Sequence, residues 1–393
     1  MPRIRPRIRR SAFAAVAVTA LVAASATACG PDGDSADAKP SQAATAASST
    51  SSATAGPHLP GDLPTSLQEL RKWKQGDWKK WDHWARQAAD FANPVIKDLW
   101  KPSRMSEAKD SPDQVPTGVG QDQGITDPAP ARKQAQAVPT PYHADAAPVG
   151  KVFFDSPSGP MVCSGTVVED PAHPGKSDLV WTAGHCVHSG AKGGWYRNIA
   201  FVPSYNDDGL SAAQTQNAPE SEVAPYGVWW ADWAQTSSQW ISTGAETGGS
   251  GSPYDFAILH VKPENGGGKS LQETVGAALP VWFDAPSATA MSSLGAWGYP
   301  AAPPYDGQRM FDCVDKPGRL SLDPAAPTEY RIGCSMTGGS SGGGWFTKEP
   351  NGQLALVSNT SIGPSDNSWL AGPHLGSVAQ GVFDSISEKF ANQ

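Results

Sequence analysis

The 393-residue chain is poor in charge, in cysteine and in long apolar runs. Charged residues make up 17%, the formal net charge is −8, and no basic patch interleaved with aromatics occurs in the C-terminal half, which excludes nucleic acid as a partner. There are five cysteines and no Cys-x-x-Cys pair, so the usual zinc frameworks are absent and no metal is expected. The glycine clusters 248–251 and 266–268 lack a lysine and a strand-to-helix setting, so they read as turns and not as phosphate or dinucleotide loops. No cofactor is expected. No internal repeat or coiled coil is present.

The N-terminus does carry a signal. Met1 to Arg10 hold five arginines and lead into an apolar run from about Ala12 to Ala24, then Ala26-Thr27-Ala28-Cys29-Gly30. The run is too short for a stable spanning helix and reads as a signal peptide over 1–28. Cys29, placed directly after small residues, resembles the lipid-bearing cysteine of a bacterial lipoprotein box, although Ala26 stands where leucine is usual. Two outcomes stay open: a lipid anchor in the cell membrane through Cys29, or secretion after a cut at Ala28. The other four cysteines, Cys163, Cys186, Cys313 and Cys334, most simply form two disulfides in an exported domain.

Residues 29–60 are Ala, Ser, Thr, Asp and Pro with almost nothing to bury, and read as a disordered tether. Residues 61–102 differ. Leu67, Leu70, Trp73, Trp81, Trp84, Ala88, Phe91, Val95 and Leu99 recur at helical steps, with Arg71, Lys72, Lys79, Lys80 and Arg86 largely off that face, which predicts one or two amphipathic helices. So much exposed tryptophan needs a cover. Three roles stay open: a propeptide that covers or chaperones the downstream domain, an appendage packed permanently on it, or a contact module for the cell wall. Residues 103–148 return to Pro, Gly, Ala, Gln and Asp and read as a linker, with easy processing near Arg132-Lys133 or just before Val149.

From 149 to 393 the grammar is all-β. A dozen short apolar runs are separated by Gly, Pro, Asn and Asp: 152–154, 162–168, 179–182, 199–202, 227–230, 256–261, 279–283, 293–297, 309–313, 329–334, 344–346 and 354–359. That number suits two packed barrels or a sandwich. Ser204 to Ala224 and Asp232 to Pro253 read as long surface loops, and 378–390 as a closing C-terminal helix.

Three stretches carry chemistry. Thr182-Ala183-Gly184-His185-Cys186 closes a strand, Asp255 opens Asp255-Phe256-Ala257-Ile258-Leu259, and Ser341 stands in Gly338-Gly339-Ser340-Ser341-Gly342-Gly343. Each alone has an ordinary reading: a polar loop histidine, a turn-capping acid, a flexible Gly/Ser turn. Together they place a histidine, an aspartate that can hold its ring, and a hydroxyl on one β domain, in the order His, Asp, Ser.

On these three motifs the segment from about Gly150 to Phe390 resembles the trypsin-like serine peptidases of the chymotrypsin superfamily, in the bacterial branch that includes the V8-like glutamyl endopeptidases. The resemblance implies two six-stranded antiparallel barrels with a C-terminal helix, and an extracytoplasmic endopeptidase acting on polypeptides through an acyl-enzyme. It makes His185 the general base, Asp255 its partner, Ser341 the nucleophile, the backbone N–H groups of Gly339 and Ser341 the oxyanion hole, and Ser358 part of the substrate-binding wall. It pairs Cys163 with Cys186 and Cys313 with Cys334. An inactive domain of the same fold, used for binding at the cell surface, is the alternative. Two departures stand out. Ser340 occupies the place of the aspartate that receives the freed N-terminus in many digestive-type members, so any upstream control is steric. No histidine flanks Ser358 and no acid precedes Ser341 closely, so a small or uncharged specificity pocket is expected.

Overall fold

The computed structural model describes residues 63–87, 91–110, 114–120, 125–245 and 249–393. The expected signal peptide, Cys29 and the tether to residue 60 lie outside the described residues, as does Ala88. In chain order the strands are β1 (Lys109–Asp110), β2 (Gln136–Ala137), β3 (Val149–Ser156), β4 (Gly159–Val168), β5 (Leu179–Thr182), β6 (Arg197–Pro203), β7 (Trp229–Thr236), β8 (Ala257–Pro263), β9 (Leu294–Gly298), β10 (Phe311–Asp315), β11 (Gly318–Leu320), β12 (Glu329–Gly333), β13 (Gly344–Lys348), β14 (Leu354–Asn359) and β15 (Trp369–Gly372).

Six strands, in the order β4-β3-β6-β7-β8-β5, form an antiparallel barrel that β4 closes by pairing with β5, and β1 adds to β4 in parallel. The second half is a set of two sheets, β14-β13-β9-β10-β2 and β11-β12-β15. The helix Ser377–Phe390 closes the chain, burying Phe383, Ile386 and Phe390. This is the chymotrypsin-like two-barrel architecture.

The barrel strands read as unbroken apolar runs because both faces are covered. In β3, Val152 and Phe154 point into a core with Val180, Phe201 and Leu259. Val149 and Phe153 point the other way, into a cluster with Tyr299, Met310, Leu356 and Phe383. That second cluster joins the two halves, and the active-site candidates lie along the same junction.

Two expected elements differ and two strands are additional. The run 279–283 is not a strand; Leu279 and Val281 make single bridges to Val168 and Leu356, so it is the apolar crossing between the halves. Strand β7 continues to Thr236, into the stretch expected as a loop. A register shift between Ala231 and Trp233 lets the polar Asp232 fall in the strand without breaking it. Strands β11 and β15 lie in Gly- and Pro-flanked segments too short to show a period.

The Trp-rich segment supplies two helices, Leu67–Lys72 and Gln75–Gln87, the second of which buries Trp81 and Ala85. The Arg197 guanidinium lies 4.2, 4.3 and 5.0 Å from the ring centres of Trp73, Trp78 and Trp81. Further on, the Asn93 side chain donates to Ile199 O and Ala231 O at 2.9 and 2.7 Å, tying the segment to the edges of β6 and β7. Trp100 is buried, donates its indole N–H to Asn198 O at 2.7 Å and lies 5.3 Å from the Phe153 ring. Replacing so large a side chain leaves a cavity and an orphaned carbonyl. Trp100→Ala is therefore expected to lower stability by about 3–5 kcal/mol in urea unfolding. A loss below about 1 kcal/mol would mean the segment is only loosely docked. The stretch read as a linker contributes β1 and β2 and the buried Met105, Val115, Val138 and Tyr142.

Candidate active site

Strand β5 ends at Thr182 and runs into the single turn Gly184–Cys186, which carries His185. The Cys163–Cys186 disulfide, with Cα atoms 6.2 Å apart, fastens this turn to β4. A ring nitrogen of His185 and the two sulfurs lie within 4.8 Å of one another. Among the described residues this is the one cluster with metal-like spacing, and its sulfurs are already bonded to each other, so it is a brace and not a ligand set.

Asp255 follows the turn Ser252–Tyr254 at the mouth of β8. Its Oδ1 accepts the backbone N–H of His185 at 2.8 Å and its Oδ2 lies 2.7 Å from His185 Nδ1. The Ser361 hydroxyl donates to the same Oδ2 at 2.6 Å, and Asn359 Nδ2 donates to Asp255 O at 3.0 Å. Asn359 is itself held by the Trp181 indole N–H at 3.0 Å. Asp255 and His185 are 1% and 3% exposed. A carboxylate placed this way accepts the ring proton on Nδ1, so the basic lone pair of the imidazole sits on Nε2.

The Ser341 loop is clamped from both sides. Ser164 N–H donates to Ser341 O at 2.7 Å and Ser164 Oγ to Gly339 O at 2.9 Å, while Gly342 N–H donates to Thr360 O at 2.8 Å. Gly339 and Gly342 have φ of +93° and +77°. A Cβ on Gly339 would stand 2.7 Å from Tyr299 O, and one on Gly342 would stand 2.8 Å from Ala183 N. The second contact brings the loop against the strand end that leads to His185. Ser340 turns away: its hydroxyl is buried and donates to Thr337 O at 2.6 Å. The N–H groups of Ser340 and Gly343 are taken by Thr337 O and Ser340 O. The second disulfide, Cys313–Cys334, bonds β10 to the residue following β12, and Met336 N–H donates to Cys334 Sγ, so it anchors the approach to the loop.

Ser358 does not join this group. It is fully buried in β14, paired with Trp345, and its hydroxyl donates to Pro373 O at 2.7 Å. Residues 360–364, beyond the end of β14, line the pocket beside Ser341. Ser361, Asn359 and Ser252 carry little signal in the sequence. A run of small polar residues after an apolar strand, Ser358-Asn359-Thr360-Ser361, is the one hint of the first two.

The pocket between residues 336–341 and 360–364 has no charged side chain in its lining, which includes Gln114, and has a free volume of ≈ 20 Å³. That is room for about one water. Val115 N–H donates to Gly363 O at 3.1 Å and forms a parallel bridge with Pro364, and its side chain is buried beside Ile362 and Trp369. The Asp110 carboxyl, raised above its usual range by burial, lies where a side chain on Gly338 would stand.

No protein-family model and no curated protein matches the chain. Solved structures do. The thermostable serine protease AL20 from an extremophilic microorganism is 32% identical over 62% of this chain and 99% of its own, with a TM-score of 0.50. Protease Anisep from Arthrobacter nicotinovorans is 30% identical over 65% and 99%, TM-score 0.48, and a Glu endopeptidase in complex with MPD is 17% identical over 67% and 100%, TM-score 0.46. With the two-barrel fold, the His185–Asp255 pair and nearly the whole of AL20 matched at 32% identity, the chain belongs to the trypsin-like serine peptidase superfamily.

Proposed function

We propose that the protein is an exported serine endopeptidase that cleaves polypeptides through an acyl-enzyme on Ser341. The observation that carries this reading is the buried His185–Asp255 couple at 2.7 Å, set against a glycine loop that packs Ser341 beside the same strand end. In this reading His185 takes the Ser341 proton and later returns it to the leaving amine, while Asp255 steadies the imidazolium. The N–H groups of Gly339 and Ser341 receive the developing oxyanion, each worth about 3 kcal/mol. The intact couple and clamped loop weigh against an inactive binding domain.

The uncharged pocket supports cleavage after a small or neutral side chain. A place in the bacterial branch with the V8-like enzymes is part of the proposal, without a preference for glutamate, because the pocket wall carries no histidine. The two disulfides support an oxidising, extracellular setting, and the Arg-rich leader with Cys29 supplies the export signal and the proposed membrane anchor. Cell-wall contact by the Trp-rich segment has no support from its barrel-facing tryptophans.

The upstream segment acts in this reading as a steric cover. Gln114 and Val115 lie where a substrate would enter, which replaces the N-terminal switch that Ser340 cannot receive. Internally quenched peptides with neutral residues at the cleaved position test both parts. The full chain cleaves slowly, and Val115→Asp, which strips Val115 of its apolar seat, raises kcat/KM by about tenfold or more, the gain expected when a minor open state becomes dominant. His185→Ala in that background abolishes cleavage. Equal rates with and without Val115→Asp would remove the cover, and turnover surviving His185→Ala would remove the mechanism.

A further inference from the structure

Connected to Asp255 through buried hydroxyls lies a second carboxyl that peptide hydrolysis does not call for. Glu329 opens β12, is 1% exposed, and is reached from Asp255 through two hydroxyls. Ser361 Oγ donates to Asp255 Oδ2 at 2.6 Å, Ser361 Oγ and Ser252 Oγ are 3.5 Å apart, and Ser252 Oγ lies 2.8 Å from Glu329 Oε1. The other carboxyl oxygen, Oε2, is buried and has no hydrogen-bond partner among the described residues. A carboxylate would leave that lone-pair site bare inside the protein, whereas a carboxylic acid needs only its hydroxyl satisfied. Burial, opposed by the Ser252 hydrogen bond and reinforced by the Asp255 charge, pushes the Glu329 carboxyl up to about 8.

We infer that Glu329 is held as a neutral acid and is a positioning residue for Asp255, acting through Ser252 and Ser361. The inference deepens the protease reading and rests on its assignment of His185 and Asp255. Each hydroxyl has one proton, and that fixes the direction of the chain. A protonated Glu329 donates to Ser252, Ser252 donates to Ser361, and Ser361 donates to Asp255, so every donor points toward the carboxylate that holds His185. An ionised Glu329 accepts the Ser252 hydroxyl hydrogen bond, leaving the Ser252 and Ser361 oxygens without a hydrogen between them and a second negative charge close to Asp255.

Among the described residues no cation acts on Glu329. Asp255 is the charge that acts on it. On β12 itself Arg331 is turned to the Asp127 carbonyl and Tyr330 gives its hydroxyl to Pro286 O, and on the neighbouring β11 Arg319 bonds the Asp127 carboxylate.

The proton on His185 Nδ1 reports the strength of the bond to Asp255 and is observable by NMR at the downfield edge of the spectrum, with the covered full chain and without turnover. Followed from weakly acid to strongly alkaline solution, the wild type is expected to show a step in this resonance with a midpoint near 8. Glu329→Gln, isosteric and always a donor to Ser252, loses this step and keeps only the change that follows protonation of the His185 ring, which all three proteins share. Ser252→Ala keeps the acid but removes the bridge, and its step falls to less than half. A thermal melt adds a second check. A carboxyl raised on folding stabilises fully below its ordinary value and loses that contribution progressively as pH rises from there to about 8, so Glu329→Gln gains on the wild type across that interval and gains no more above it. A wild type without the step near 8, or the same step near 8 in all three proteins, overturns the inference. Missing peptide cleavage with the titration intact overturns only the protease reading.

Discussion

Asp255→Asn lowers kcat by about 10⁴-fold, measured in the Val115→Asp background, while KM changes only a few-fold. The reason lies in the number of donors the side chain receives. Asp255 accepts three hydrogen bonds, from His185 N–H, from the His185 ring and from the Ser361 hydroxyl. An amide has one acceptor oxygen. If that oxygen keeps the backbone N–H, its NH₂ group faces His185 Nδ1 and must donate to it, which moves the ring proton to Nε2. The base is then protonated on the side that should receive the Ser341 proton. The substrate pocket is untouched, so binding survives. A loss below about tenfold would mean that Asp255 does not set the tautomer, and the couple would then be structural.

Gly342→Ala is expected to destabilise the protein by on the order of 4 kcal/mol, read from urea unfolding, and to remove activity from whatever still folds. Two effects add. The residue has φ of +77°, a region that alanine occupies only under strain, and its Cβ would stand 2.8 Å from Ala183 N and against Thr182 Oγ1 and Ser164 O. These neighbours are backbone and a buried hydroxyl bonded to Ser164 O, so none can step aside. Relief comes only by moving Ser341 away from the His185 turn. Gly352→Ala is the control for strain alone, since its φ of +86° is alike but open space surrounds it. Gly342→Ala falling no further than the control would show that the loop is not wedged against the histidine strand.

What could be read from the sequence follows from how local each signal is. His185 and Asp255 stand at strand mouths, and Ser341 in a glycine run, so each is marked by its immediate neighbours, and the two disulfides use the four cysteines of the β domain. The sequence points to Ser358, whereas residues 360–364 line the pocket beside Ser341, because nothing in an extended polar run marks where a strand leaves its sheet. Glu329 is a lone acid at the head of a short strand, and it meets Ser252, 77 positions earlier, only through the packing of β12 against the turn before β8. Gln114 and Val115 sit in a Pro- and Asp-rich stretch whose composition argues for a linker, and the residues they lie beside, in the pocket of Ser341 and at Gly363, are near the far end of the chain. The Trp-rich helices are legible as amphipathic, but the partner that covers them, Arg197 and the edges of β6 and β7, is not.

The most direct measurement of the central claim is the site of covalent modification by a small fluorophosphonate, mapped by mass spectrometry on the Val115→Asp chain. One adduct is predicted, on Ser341, lost in Ser341→Ala and in His185→Ala and retained in Ser340→Ala, whose hydroxyl is committed to Thr337 O. An adduct on any other residue, or labelling that persists in Ser341→Ala, would contradict it.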